Sequence, residues 1–344
     1  MIKFFRKIRQ QLLSENKFTK YLIYAIGEII LVVIGILLAV SINEWNSNRK
    51  AQQEIDHLLV AFQKDLTVNI KEGNRILDWA IRRDSIIELI LQRKVTAEMY
   101  YERTVKPMFW NYNTADVITE NLDKLLDKEA QLKIEAEPLL KLLKKYSVQL
   151  DRVAEQADDF ANNSMENSRY LRDNMPWYNA YMDSTSMEAA IYFSEDDIYL
   201  NRTQFYQTLV NHNYGRALAG RQNIELILLY HLLKLQNKQS KVHEVFAELG
   251  FSPMTKTSCA TTVELKESKK HYIPLIVNVG SNPVHVKFEY THKGILETVH
   301  IPLGPGEYET YSGFYPFVVQ IIEEDSCVAK YLPSAHSYLI LGEE

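Results

Sequence analysis

From Tyr21 to Ile42 the chain reads YLIYAIGEIILVVIGILLAVSI, an apolar run broken by a single charge, Glu28. As a helix rising about 1.5 Å per residue it is roughly 33 Å long, enough to cross a hydrocarbon core of about 30 Å. The pattern then changes from continuous to periodic without a helix breaker. Ile55, Leu58, Leu59, Phe62, Leu66, Ile70, Leu77 and Ile81 recur every three or four residues with charges between them. That spacing predicts an amphipathic helix of about 45 residues continuing from the span and ending before Lys106-Pro107, with Gly73 only weakening it. Asn113-Thr114 offers an N-cap for a helix carrying Ile118, Leu122, Leu125 and Leu126, and Pro138 suits the first turn of the next, lined by Leu139, Leu142, Leu143, Tyr146 and Leu150. Met175-Pro176 closes that one, and a last long helix is expected from about Ser194 through Tyr214, Leu218, Ile224 and Leu228 to Leu235. Long helices joined by short connections suggest an antiparallel bundle.

Near Gly250 the apolar period shortens to two or becomes continuous, as in residues 274–279 (PLIVNV), 284–290 (VHVKFEY), 294–301 and 316–322 (PFVVQII). Turns are marked by Gly280-Ser281-Asn282-Pro283, His292-Lys293-Gly294 and Gly304-Pro305-Gly306. Short strands with such punctuation indicate a small β-sandwich. The expected fold class is therefore membrane-anchored α+β: one N-terminal transmembrane helix, a long-helix periplasmic bundle and a small C-terminal β-sandwich. Its expected segments are a basic cytosolic head (1–20), the span (21–42), the helical bundle (43–250) and the sandwich (251–344).

Charge decides the orientation. The total is −5, yet residues 1–20 hold Lys3, Arg6, Lys7, Arg9, Lys17 and Lys20 against Glu15 alone, a charge of +5 that leaves −10 for the remainder. Basic residues before a span and few after it keep the N-terminus cytosolic and place the bulk of the chain outside. Tyr21 and Trp45 flank the apolar run where aromatic rings favour the membrane interface. Arg6, Lys7 and Arg9 lie between Phe4, Phe5, Ile8 and Leu12, so the head either rests on an anionic inner leaflet or serves only to set topology. Ala39-Val40-Ser41 is a small-x-small pattern that a signal peptidase reads, but the apolar run exceeds the roughly 7–15 residues of a signal-peptide core, which favours a retained anchor.

The run FFRKIRQQLLSENKFTKYLIYAIGEIILVVIGILLAVSINEWNSNRK, residues 4–50, resembles the opening of an uncharacterised family of single-pass membrane proteins abundant in Bacteroidota. The resemblance is carried by the FRKIR head, by Gly27-Glu28-Ile29 and Val32-Val33-Ile34-Gly35-Ile36 in the span, and by Asn43-Glu44-Trp45-Asn46 at its exit. It implies a Gram-negative inner membrane and a periplasmic body, and says nothing of chemistry.

Glu28, Gly35 and Ala39 fall within about 20° of one helical stripe at 100° per residue. Gly35 and Ala39 form a small-xxx-small pair that lets two backbones approach, so this stripe is the expected seam of a homodimer. Glu28 then faces a second helix; the alternative is that it lies shallow and snorkels among the cytosolic lysines. The two cysteines, Cys259 and Cys327, either pair, closing a long loop worth about 4 kcal/mol, or remain separate buried thiols.

Motifs of catalysis are missing from the linear sequence. His243-Glu244 lacks the second histidine of a zincin helix, and no G-x-S-x-G, P-loop or G-x-G-x-x-G occurs. His285, His292 and His300 could converge with Glu297 on a metal, although exposed strand histidines far more often have no ligand. No metal, cofactor or catalytic residue is expected, and an acidic body argues against nucleic acid. The leading expectation is a non-enzymatic membrane protein that acts as a scaffold or interaction module among envelope proteins. A ligand-responsive co-sensor signalling through span dimerisation is the second reading, and an envelope hydrolase the third.

Overall fold

The computed structural model describes residues 18–91, 116–132, 137–174, 202–265, 273–292, 295–310, 317–334 and 336–342. Contacts group the chain into two compact units, Met1–Leu58 and Leu59–Glu344. Helix α1 (Phe18–Leu91) supplies residues to both.

In the first unit the apolar stretch of α1 is uncovered. Every large apolar side chain from Ile26 to Ile42 is 47–72% exposed, and none of the most apolar part of the helix is buried. Toward its C-terminal end α1 becomes one-sided: Ile55, Phe62, Leu66, Ile70, Ile76 and Leu77 are buried, which is the expected three-and-four spacing. The side chain of Ile81 lies outside the described ones.

In the second unit α2 (Glu120–Asp127) is short, and α3 (Glu137–Asn174) and α4 (Arg202–Leu235) are long. Pro138 does sit in the first turn of α3, where its missing N–H costs nothing. Leu139, Leu143, Tyr146, Val153 and Phe160 line the buried face of α3, the ring of Phe160 stacking on Tyr214 of α4 at 5.1 Å. Helix α4 differs from its sequence reading. The sequence marks only its apolar positions, but all ten residues from Arg221 to Tyr230, polar ones included, are buried, so α4 is the central helix of the body. The helix expected to start at Asn113-Thr114 and to carry Ile118 begins instead at Glu120, with Thr119 as its N-cap and Ile118 in the non-helical segment before it, while the expected ends at Met175-Pro176 and Ser194 fall outside the described residues.

A seven-residue helix, α5 (Val242–Glu248), leads into two sheets. Strands β1 (Ser252–Pro253), β9 (His336–Leu341), β3 (Ile273–Asn278) and β6 (Tyr308–Thr310) form one sheet in that order. The other holds β2 (Thr255–Thr257), β8 (Ser326–Leu332), β7 (Phe317–Glu323), β4 (Val284–His292) and β5 (Ile295–Leu303). Ile276, Leu339 and Leu341 of the first sheet pack against Val286, Phe288, Val319 and Ile321 of the second, which makes a sandwich core. The first sheet is mixed, because β9 runs parallel to both β1 and β3 while β6 runs antiparallel to β3.

Two local features close the module. Gly342 has φ of +80°, and a Cβ there would sit 2.5 Å from the Cα of Gly280, so the ends of β3 and β9 pass too closely for a side chain. Cys259 and Cys327 are joined in a disulfide spanning 68 residues, which pins the turn after β2 to β8. Beside it the buried Lys330 amine donates to the carbonyl of Thr261 at 2.8 Å.

Candidate functional site

The polar groups of the helical body converge where α1, α3 and α4 meet. Helix α1 places Asn69, Gly73 and Asn74 at that point, α3 places Tyr146, and one turn of α4 places Arg221, Gln222 and Glu225. Asn69, Tyr146, Arg221, Gln222 and Glu225 are all at most 1% exposed. Burying so many polar groups is costly unless each is matched, so the hydrogen bonds are the first question.

Arg221 donates from Nη2 to the main-chain carbonyl of Asn69 at 3.0 Å, and its Nε lies 3.2 Å from Glu225 Oε1. The Nε–H does not point at that oxygen, so this contact is an ion pair without a hydrogen bond, and Nη1 makes none either. Glu225 Oε1 instead accepts the hydroxyl of Tyr146 at 2.6 Å. The Asn69 side chain grips the segment that leads into α2, donating to the Ile118 carbonyl and accepting its N–H, both at 3.0 Å, and donates to Tyr146 Oη at 3.3 Å. One residue along α4, Gln222 donates to Asn74 Oδ1 and, at 3.4 Å, to the carbonyl of Ile70. Asn74 passes the network on to the carbonyl of Leu249 at 2.8 Å.

Gly73 makes this approach possible. A Cβ at that position would lie 2.6 Å from Arg221 Nη2 and 3.0 Å from Gln222 Nε2. With hydrogen alone there, two successive α4 side chains reach two successive carbonyls of α1, Asn69 and Ile70, from the groove that the glycine opens.

Burial dominates the electrostatics. It holds the Glu225 carboxyl above the usual carboxylate range in spite of Arg221 and the Tyr146 hydroxyl, which pull it down. The Tyr146 phenol is pushed well up by burial and by the adjacent Glu225 charge. On the rim Glu72 is held low, chiefly by its hydrogen bond from Arg75, with Arg221 contributing more weakly. Among the described residues Glu225 Oε2, Gln222 Oε1 and both amide atoms of Asn223 have no hydrogen-bond partner. The arrangement can therefore hold charge and proton inside the helical body and fix three helices against one another.

A second seam ties helices to sheets. His243 Nδ1 and Tyr338 Oη are 2.6 Å apart, and Phe246 meets the Tyr338 ring edge-on at 4.9 Å. His336 on β9 approaches Asp78 of α1 at 3.9 Å, while burial keeps its imidazole below the usual range.

The residues singled out from sequence are dispersed. Arg6, Lys7 and Arg9 lie outside the described residues. Tyr21, Glu28, Gly35 and Ala39 lie on α1, and among the described residues nothing stands within 4 Å of where a Gly35 Cβ would be. Trp45 is 64% exposed, with the Arg49 guanidinium 5.8 Å from its ring centre. The histidine cluster does not assemble. The β4–β5 register puts His285 and His300 on one face, whereas Glu297 is paired with Tyr290 on the other and accepts its hydroxyl at 2.7 Å. Among the described residues no three potential ligands gather around a metal position. The polar centre at Arg221 is not legible as a site in the sequence; its trace there is Arg221-Gln222-Asn223 and Glu225, which with His231 interrupt an otherwise apolar stretch from Leu218 to Leu233.

Fold and site together define an α+β body of helices and two sheets, borne on a long N-terminal helix whose first part is apolar enough to cross a membrane. Residues 28–121 of the chain are similar to a family of unknown function (DUF6090). No curated protein and no solved structure matches the chain.

Proposed function

We propose that this is a single-pass inner-membrane protein, its N-terminus cytosolic and its body periplasmic, serving without catalysis as a scaffold or interaction module for envelope proteins. The observation that carries the reading is the uncovered apolar stretch of α1 from Ile26 to Ile42. A patch of that length is far larger than water tolerates on a folded surface, and lipid is the solvent that suits it. Supporting it are the +5 head, which favours the N-in orientation, and the Cys259–Cys327 disulfide, a bond typical of oxidising compartments. In this reading two copies pair along the Glu28, Gly35 and Ala39 stripe.

The test is topology mapping with single cysteines. The native pair is bonded, so Val148→Cys, at a site 69% exposed, should react with an impermeant thiol reagent once the outer membrane is opened. Ser14→Cys should react only after lysis. A protected Val148→Cys, or recovery of the protein free of membranes, would overturn the assignment.

The unpartnered buried atoms around Arg221 favour a second reading, in which the body responds to a small polar solute and alters pairing of the spans. A rise in melting temperature with one solute from a panel of amino acids and organic acids, lost in Glu225→Gln, would support it over the scaffold.

A further inference from the structure

We infer that Arg221 and Gln222, admitted by Gly73, form a register clasp: a device that selects one axial and rotational alignment of α1 on α4. This inference concerns the helical body alone and does not depend on where the protein resides.

Apolar helix faces carry little information about alignment. One leucine ridge fits several grooves, and a slip by one turn, about 5.4 Å, exchanges similar contacts. The α1–α4 contact is built otherwise. Two adjacent donors on α4 aim at two adjacent main-chain carbonyls on α1, at 3.0 and 3.4 Å. They reach them only where the intervening α1 position lacks a Cβ. Gly73 is the single glycine between Gly35 and Gly215, so one position on this part of α1 satisfies the requirement. One turn away in either direction the groove is occupied by the side chain of Asn69 or Leu77. A slipped α1 would drive a fully buried guanidinium against one of these and strip it of its carbonyl, while Glu225 kept its burial.

The incomplete pairing points the same way. A network tuned for stability alone would satisfy Arg221 Nη1 and Glu225 Oε2, or replace the pair with apolar side chains; among the described residues both atoms instead have no hydrogen-bond partner. What the pair supplies is discrimination against misalignment, the role best attested for buried polar groups at helix interfaces.

The experiment places spin labels at Val68→Cys on α1 and Leu235→Cys on α4, sites 51% and 42% exposed, in the full chain with Cys259–Cys327 intact. Pulsed dipolar spectroscopy should give one narrow distance for the labelled parent. In the apolar replacement Arg221→Met/Glu225→Leu it should give a second, displaced population, the displacement being the projection of a one-turn slip on the line between the labels and at most about 5 Å. Arg221→Lys, which keeps the charge but loses the forked geometry, should broaden the distribution in the same direction and decides the matter alone if the double replacement fails to fold. A single unchanged distance in the folded variants would overturn the inference.

Discussion

Arg221 Nη2 donates to the main-chain carbonyl of Asn69 at 3.0 Å, across 152 residues of sequence, and the same guanidinium lies 3.2 Å from Glu225. A full charge is thereby spent on holding a backbone atom of another helix. The energetic sign of such an arrangement depends on which partner is removed. Arg221→Met or Glu225→Leu alone leaves the other charge buried and should cost about 3–5 kcal/mol, whereas the double replacement should return to within about 1 kcal/mol of the parent or exceed it. Urea unfolding of the four proteins in a cycle measures this; additive single losses would show that the two side chains do not act as a pair.

Gly73→Ala and Gly215→Ala should move stability in opposite directions. At Gly73 the new methyl meets Arg221 Nη2 at 2.6 Å, and overpacking of about 1–3 kcal/mol should outweigh the helix-propensity gain of about 1 kcal/mol. At Gly215 the nearest atom is Leu77 Cδ1 at an ordinary 3.9 Å, so the propensity gain should survive. Thermal melting of the two variants side by side separates close approach from intrinsic preference.

Acid should weaken the helical body through His231. Burial, with Lys234 adding repulsion, pulls its imidazole down from 6.5 to about 4. Between those values the unfolded chain binds more protons than the folded one, so the contribution of His231 is complete above pH 6.5 and is lost as the pH falls to about 4, a swing of about 3 kcal/mol. Glu225 has the opposite sign: its raised carboxyl favours the folded state below pH 4.5, an advantage lost as the pH climbs through the raised value. The urea midpoint should therefore fall less between pH 7 and pH 4 in His231→Gln than in the parent; equal falls would remove His231 from the account.

Reducing Cys259–Cys327 should destabilise the sandwich by about 4 kcal/mol, the chain-entropy cost of reopening a 68-residue loop. It should also free the segment at Thr261 and expose the Lys330 amine, which is 6% exposed in the intact structure. Acetylation of Lys330, followed by mass spectrometry with and without reductant, reports that local release apart from global unfolding.

Replacing Gly35 and Ala39 by Ile should abolish crosslinking between copies in membranes, because small residues are what permit close backbone approach in lipid. Crosslinking at parental efficiency would discard the stripe as the proposed dimer seam while leaving the proposed membrane anchor untouched.

Much of the architecture was legible because it is written in local periodicity. The apolar stretch of α1, the three-and-four spacing of Ile55, Phe62, Leu66 and Ile70, the start of α3 at Pro138 and the strands β3, β4, β5 and β7 all follow from neighbouring residues. Strands β8 and β9 were not legible. The turn from β7 to β8 is made by Glu324 and Asp325 at φ of +47° and +61°, left-handed positions where a reader looks for Asn or Gly. Strand β9 pairs in parallel with β3 across some sixty residues, a partnership without a turn to announce it.

By itself the sequence determined the long apolar stretch, its flanking charge, the helical character of the body and the shift to strands near Gly250, since each depends on side-chain period and composition over a short window. Only the tertiary structure decided that Gly73 is a point of contact rather than a weak place in a helix, and that Arg221 and Glu225 lie at the centre of the body rather than on its surface. The physical reason is that burial of a charge is settled by what surrounds it. Asn69, Tyr146 and Glu225 come from three different helices, and no window of sequence contains them together.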